Sequence, residues 1–111
     1  MSREVCAYCG KKMAANGDHV IPRSVVKNRL QTKFVKVSET RMARRICTAS
    51  GEVVPSELLE LVAACFDCNY RKGARLLIPK SWTDRLDALN DLGIGIFRVW
   101  DGSEQREIAK R

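Results

Sequence analysis

Two Cys-x-x-Cys pairs, Cys6/Cys9 and Cys65/Cys68, constrain this chain more than any other feature, with 55 residues between them. Cysteines three positions apart in a tight turn can aim both sulfurs at one point. Two such turns closing on one tetrahedral ion make a structural zinc site. Four thiolates fill the coordination shell, so no position remains for a reacting water. A thioredoxin-like redox motif needs only one pair. Iron is the other ion that suits an all-thiolate set, and it would colour the protein. Cys47 is left over and reads as a small buried hydrophobe. A single domain of 111 residues gains from such a staple, because its core is modest.

The cysteine pairing also bears on compartment. Residues 1–6 lack the apolar stretch of a signal peptide, and no apolar run is long enough to span a membrane. The expected location is the reducing cytoplasm, where paired cysteines are more often metal ligands than disulfides. Charge is unevenly placed. Between residues 20 and 46 lie eight basic residues and one acid, Glu39, so this segment carries the whole net charge of +7. A localised basic segment is the electrostatic footprint of a nucleic-acid binder; a solvated basic surface helix is the plainer reading.

Local patterns give a coarse outline. Gly10 after the second cysteine suits a tight turn. Residues 13–21 read as extended, with a turn signal at Asn16-Gly17 and a stop at Pro22. Val25, Val26, Leu30 and Phe34 have helical spacing, with Ser24 as N-cap. Residues 34–37 suggest a short strand, and 38–54 give no clear pattern beyond a turn at Ser50-Gly51. Residues 58–64 fit a strand or a short helix, and 65–73 a knuckle running into a helix closed by Gly73. Ser81 and Asp84 resemble a capping box, Trp82, Leu86, Leu89 and Leu92 a helical stripe, and Gly93 its stop. Residues 94–100 read as a strand ended by Asp101-Gly102, with a polar tail from Ser103 that frays. Trp82 and Trp100 read as core.

Between the cysteine pairs stands Asp18-His19, which holds the only histidine, and Asn69 follows the last cysteine at a predicted helix start. Cys-x-x-Cys-Gly, then Asp-His-Val-Ile-Pro-Arg-Ser, then Cys-x-x-Cys-Asn-x-x-Lys-Gly resembles the motif of HNH endonucleases. The resemblance is to the branch with a four-cysteine zinc beneath the ββα-metal fold. It covers residues 6–24 and 60–73, about a third of the chain.

The resemblance implies an α+β fold: a small zinc-stabilised ββα-metal domain over residues 1–111. A basic insertion at 23–54 would contain a helix, and 74–111 would add a helix-strand extension. It implies a metal-dependent DNA endonuclease, nicking when monomeric, with weak sequence specificity. By position, His19 resembles the general base. Asp18 and Asn69 resemble ligands of one catalytic Mg²⁺, Mn²⁺ or other divalent ion, and Cys6, Cys9, Cys65 and Cys68 hold structural Zn²⁺. Arg71 and Lys72 would contact phosphate, while Arg23, Lys27, Arg44 and Arg45 of the basic segment would lie along the duplex.

The residue types suit that chemistry. An imidazole can take a proton from water at physiological pH. One carboxylate and one amide oxygen hold a hard cation and leave positions for water and phosphate. Products would be a 5′-phosphate and a 3′-hydroxyl. The Gly-Gly often found after Asp-His-x-x-Pro is missing. Glu60 stands where the central Asn of the motif usually lies, and is expected to accept backbone N–H bonds or to contact His19 or the metal. The expected partners are double-stranded DNA and a protein of a larger DNA-processing machine, in a phage-type or restriction-type setting, with the chain a monomer or weak dimer. The alternative is a non-catalytic zinc-ribbon module that binds nucleic acid or protein. A zinc deaminase is discounted, because Val20-Ile21 follows His19 where that chemistry needs His-x-Glu.

Overall fold

A computed structural model of the chain describes residues 4–103. The order of elements is β1 (Asn16–His19), α1 (Arg23–Arg29), β2 (Gln31–Ser38), β3 (Arg41–Cys47), a 3-10 turn (Ser56–Leu59), β4 (Leu61–Ala64), α2 (Phe66–Lys72), β5 (Leu77–Ile78), a second 3-10 stretch (Lys80–Arg85), α3 (Leu86–Asn90) and β6 (Arg98–Val99). The fold is α+β. Three two-stranded sheets form: β1 with β4 and β2 with β3, both antiparallel, and β5 with β6, parallel. No helix among the described residues is long and apolar enough to cross a membrane.

β1 and β4 pair with Asp18 opposite Val62 and His19 opposite Leu61. β4 runs directly into α2, so two strands and a helix form one unit. The first cysteine turn is tied to it by Ala7 N–H donating to Ala63 O at 2.8 Å and Ala15 N–H to Ala64 O at 2.9 Å. Gly10, at φ +66°, reverses that turn.

Two apolar clusters support the unit. The larger gathers Val20, Ile21, Val25, Leu58, Trp82, Leu89 and Phe97. The smaller gathers Cys6, Tyr8, Ala64, Cys65, Cys68, Leu77 and Trp100. Neighbouring residues of β5 serve one cluster each, Leu77 the cysteine side and Ile78 the larger core, as the two-residue period of a strand requires. Both tryptophans are core residues, and Cys47 is fully buried away from the cysteine cluster.

Several local expectations change. The helix after Pro22 ends at Arg29, not Phe34, and Ser24 does not cap it. From Leu30 the chain extends into β2, which pairs with β3 over residues that gave no clear pattern. The inserted basic segment is therefore a short helix plus a β-ribbon. Asn16-Gly17 lies within β1 rather than at a turn. The stripe from Trp82 begins as a 3-10 stretch after Pro79 with no side-chain cap, and only Leu86–Asn90 is α-helical. The strand expected at 94–100 shrinks to two residues. Gly95 sits at φ +140°, and Asn90 Oδ1 accepts the Phe97 N–H at 2.6 Å, which removes that donor from a ladder. The tail after Ser103 lies outside the described residues.

Candidate functional site

The four cysteine sulfurs lie within 4.8 Å of one another. A tetrahedral zinc with Zn–S of about 2.3 Å needs its sulfurs roughly 3.8 Å apart, so the cluster could hold a metal ion such as zinc with little movement. Local folding sets this up. Cys65 is the N-cap of α2, and its Sγ accepts the Cys68 N–H at 3.4 Å. In the other turn Lys11 N–H points at Cys9 Sγ at 3.4 Å. Burial opposes ionisation of Cys9, but backbone N–H groups of Lys12 and Lys11 outweigh it and hold the thiol down to about 6. Cys6 is lowered likewise: burial opposes the shift, and N–H groups of Cys65, Cys9 and Tyr8 prevail. Cys68 goes the other way, raised by burial and then by its neighbouring sulfurs. A cation among them would relieve that repulsion. At the surface a Lys12–Asp67 ion pair joins the two turns.

The end of the described chain wraps over this cluster. Arg71 donates to Gly102 O at 2.7 Å and lies over the Trp100 ring at 5.5 Å. Gly102 has φ +83°, and a Cβ there would meet Cys9 Cβ at 2.8 Å and Cys68 Sγ at 3.0 Å. Its glycine is required by the cysteine site as well as by the turn.

Beside the cluster, the buried carboxylate of Asp18 accepts the Tyr8 hydroxyl at 2.6 Å. The Lys72 ammonium lies 3.4 Å from the same oxygen, and also donates to Val20 O at 3.1 Å and His19 O at 3.3 Å. Lys72 is 1% exposed, so it does not reach out to phosphate as its motif position implied. It cross-links α2 to β1 instead. Burial lowers its affinity for a proton, and Asp18 partly restores it. The hint was in the sequence: Lys72 follows Cys68 by four residues and shares its face of α2. Tyr8, whose hydroxyl is kept protonated by burial and by Asp18, carries no comparable sequence signal.

We expect Lys72→Met to lower stability by about 3–5 kcal/mol, because it strips a buried partner from Asp18 and from two carbonyls. A denaturation midpoint equal to that of Lys27→Ala, at an exposed position, would show that Lys72 has no such role.

Asp18, His19 and Asn69 line one cleft of about 320 Å³, together with Arg23 and Ser24 at the start of α1. β1 supplies the first two, and alternation along the strand buries Asp18 while exposing His19. Asn69 comes from the middle of α2, not its start, one turn after Cys65. No match to this chain is found among protein-family models, curated proteins or solved structures.

The other predicted residues are dispersed. Lys27 lines a second cavity of about 510 Å³ that also borders His19. Arg44 and Arg45 are exposed on β3. Arg71 faces the cysteine side, where it also reaches Cys68 Sγ at 3.9 Å. Glu60 is turned to Arg85 at 3.4 Å, an exposed pair that does not involve His19. A wider hollow along residues 13–17 and 61–63 has Glu4 as its one titratable side chain, and so offers no comparable set of groups.

Proposed function

We propose that this protein is a metal-dependent DNA endonuclease of the HNH type, built on a structural zinc held by Cys6, Cys9, Cys65 and Cys68. The observation that carries the reading is the convergence of Asp18, His19 and Asn69, from two distant segments, on one open polar cleft. A pure binding module has no need of that set.

The residues have distinct tasks. His19, exposed at the end of β1, takes the proton of an attacking water. Asp18 Oδ2 is held by Tyr8 and Lys72, and the Asp18 carboxylate with the Asn69 amide oxygen would hold a cation. This hard oxygen pair suits Mg²⁺ or Mn²⁺. When bound, such an ion supplies Lewis-acid stabilisation of the charge that grows on the phosphate and the leaving oxygen. Arg23, at the cleft wall, holds the phosphate backbone. Attack by water forms the new P–O bond, the bond to the 3′ oxygen breaks, and the products are a 5′-phosphate and a 3′-hydroxyl.

One observation favours a second reading, a non-catalytic zinc module that binds nucleic acid. Tyr8 and Lys72 give Asp18 a structural reason to be where it is. A supercoiled-plasmid assay separates the two. The endonuclease converts plasmid to nicked or linear product in Mg²⁺ or Mn²⁺ and not in EDTA. The binding module leaves it intact in every ion. Asn69→Ala should raise the Mg²⁺ concentration for half-maximal cleavage roughly tenfold or more; an unchanged titration would remove Asn69 from the metal site.

A further inference from the structure

The β2–β3 ribbon is the largest feature that the cleavage chemistry does not use. Over residues 31–47 it carries five basic residues against Glu39, a net charge of +4. Most of its side chains are exposed. Its register places Phe34 opposite Arg44 and Lys36 opposite Met42, and directly paired residues share a face. The Arg44 guanidinium lies over the Phe34 ring at 5.6 Å. Phe34 is 64% and Met42 57% exposed, a high solvation cost for a face that only sits in water. On the opposite face Lys33 and Arg45 are exposed while Val35 and Ala43 are half-buried; beyond Ile46 at the base, the face of Phe34, Lys36, Met42 and Arg44 is exposed at all four positions.

Two strands about 4.8 Å apart, with their side chains, fit a B-DNA major groove about 12 Å wide. A surface made for phosphate alone would be uniformly cationic. This one mixes two cations with an aromatic ring and a thioether, the combination that meets guanine acceptors and thymine methyl groups. The ribbon is also rooted beside the cleft, because Ile46 at its base and His19 line the same cavity.

We propose that the β2–β3 ribbon enters the DNA major groove and reads bases with Lys36, Arg44, Phe34 and Met42, which gives the protein a sequence preference. The inference shares with the proposed function only the premise that the ligand is DNA. A double-stranded RNA is excluded by the same geometry, since its major groove is too deep and narrow for side chains to read.

The test measures binding of the full chain to fluorescent DNA duplexes by anisotropy in EDTA, where no cleavage occurs. The wild type should bind, and Lys36→Ala/Arg44→Ala should lose roughly tenfold or more in affinity for the preferred sequence and much less for other duplexes. Glucosylated 5-hydroxymethylcytosine, which fills the major groove, should weaken the wild type about as much and the double variant little further. Selection from random duplexes should return a preferred sequence for the wild type that the double variant loses.

Absence of duplex binding by the wild type, equal affinity of the folded double variant, indifference to glucosylation, or equal binding of double-stranded RNA would each overturn the proposal. A chain that binds through the ribbon and cleaves nothing would sink the nuclease reading and leave this one standing.

Discussion

Cys65→Ser is expected to abolish metal binding and cooperative folding together. Cys65 is buried, caps α2, and lies among four sulfurs within 4.8 Å of one another. Serine offers a hard, protonated oxygen that zinc does not bind in such a set. The apparent binding free energy of a structural zinc, about 10–16 kcal/mol in zinc-finger peptides, is comparable to the whole stability of a small domain, about 5–15 kcal/mol. Around this site the apolar cluster is small, and five of its seven buried residues are Cys6, Cys65, Cys68, Tyr8 and Trp100. Without the ion only Ala64 and Leu77 remain as ordinary apolar contacts in this cluster, and the four sulfurs are left facing one another. Near-UV circular dichroism, thermal melting and bound-zinc analysis would check this, with chelation of the wild type reproducing the variant. A metal-free protein that kept its near-UV signal and a sharp transition would refute the clamp. Cys47→Ala, distant from the cluster, should keep its zinc.

His19→Ala should leave the fold and the zinc intact while reducing plasmid cleavage by about 10²–10⁴-fold. That corresponds to about 3–5 kcal/mol of lost transition-state stabilisation. The side chain is exposed at the end of β1, so its removal opens no cavity. The contact that matters structurally is the His19 carbonyl, which accepts from Lys72, and alanine keeps it. Melting should therefore shift by less than about 0.5 kcal/mol in stability. Full activity in the variant would remove His19 as the base. A loss of activity with a matching loss of stability would make its role structural. His19 lies on the open side of β1, whereas Lys72 holds that strand from the buried side.

What the sequence determined by itself is what depends on short spacing. Cys-x-x-Cys imposes its own turn, so both knuckles and their union were legible without coordinates. Asp18 and His19 are adjacent and so must face opposite sides of a strand, and Asn69 is bound to follow Cys68 on the helix that Cys65 caps. Glycines at 10 and 73 marked turns that the backbone indeed makes at positive φ. These features are local, and local geometry is encoded locally.

Only the tertiary structure decided the rest, because it depends on partners remote in sequence. The basic segment looked helical because Val25, Val26, Leu30 and Phe34 happen to fall at helical spacing. Its second half is a ribbon with so few buried positions on either face that no two-residue alternation was there to read. Lys72 looked like a phosphate contact, yet its ammonium finds Asp18 and the carbonyls of residues 19 and 20 across the fold. Glu60 pairs with Arg85, and Gly102 is demanded by Cys9 and Cys68. Charge and residue type named these groups; burial and long-range contact assigned their roles.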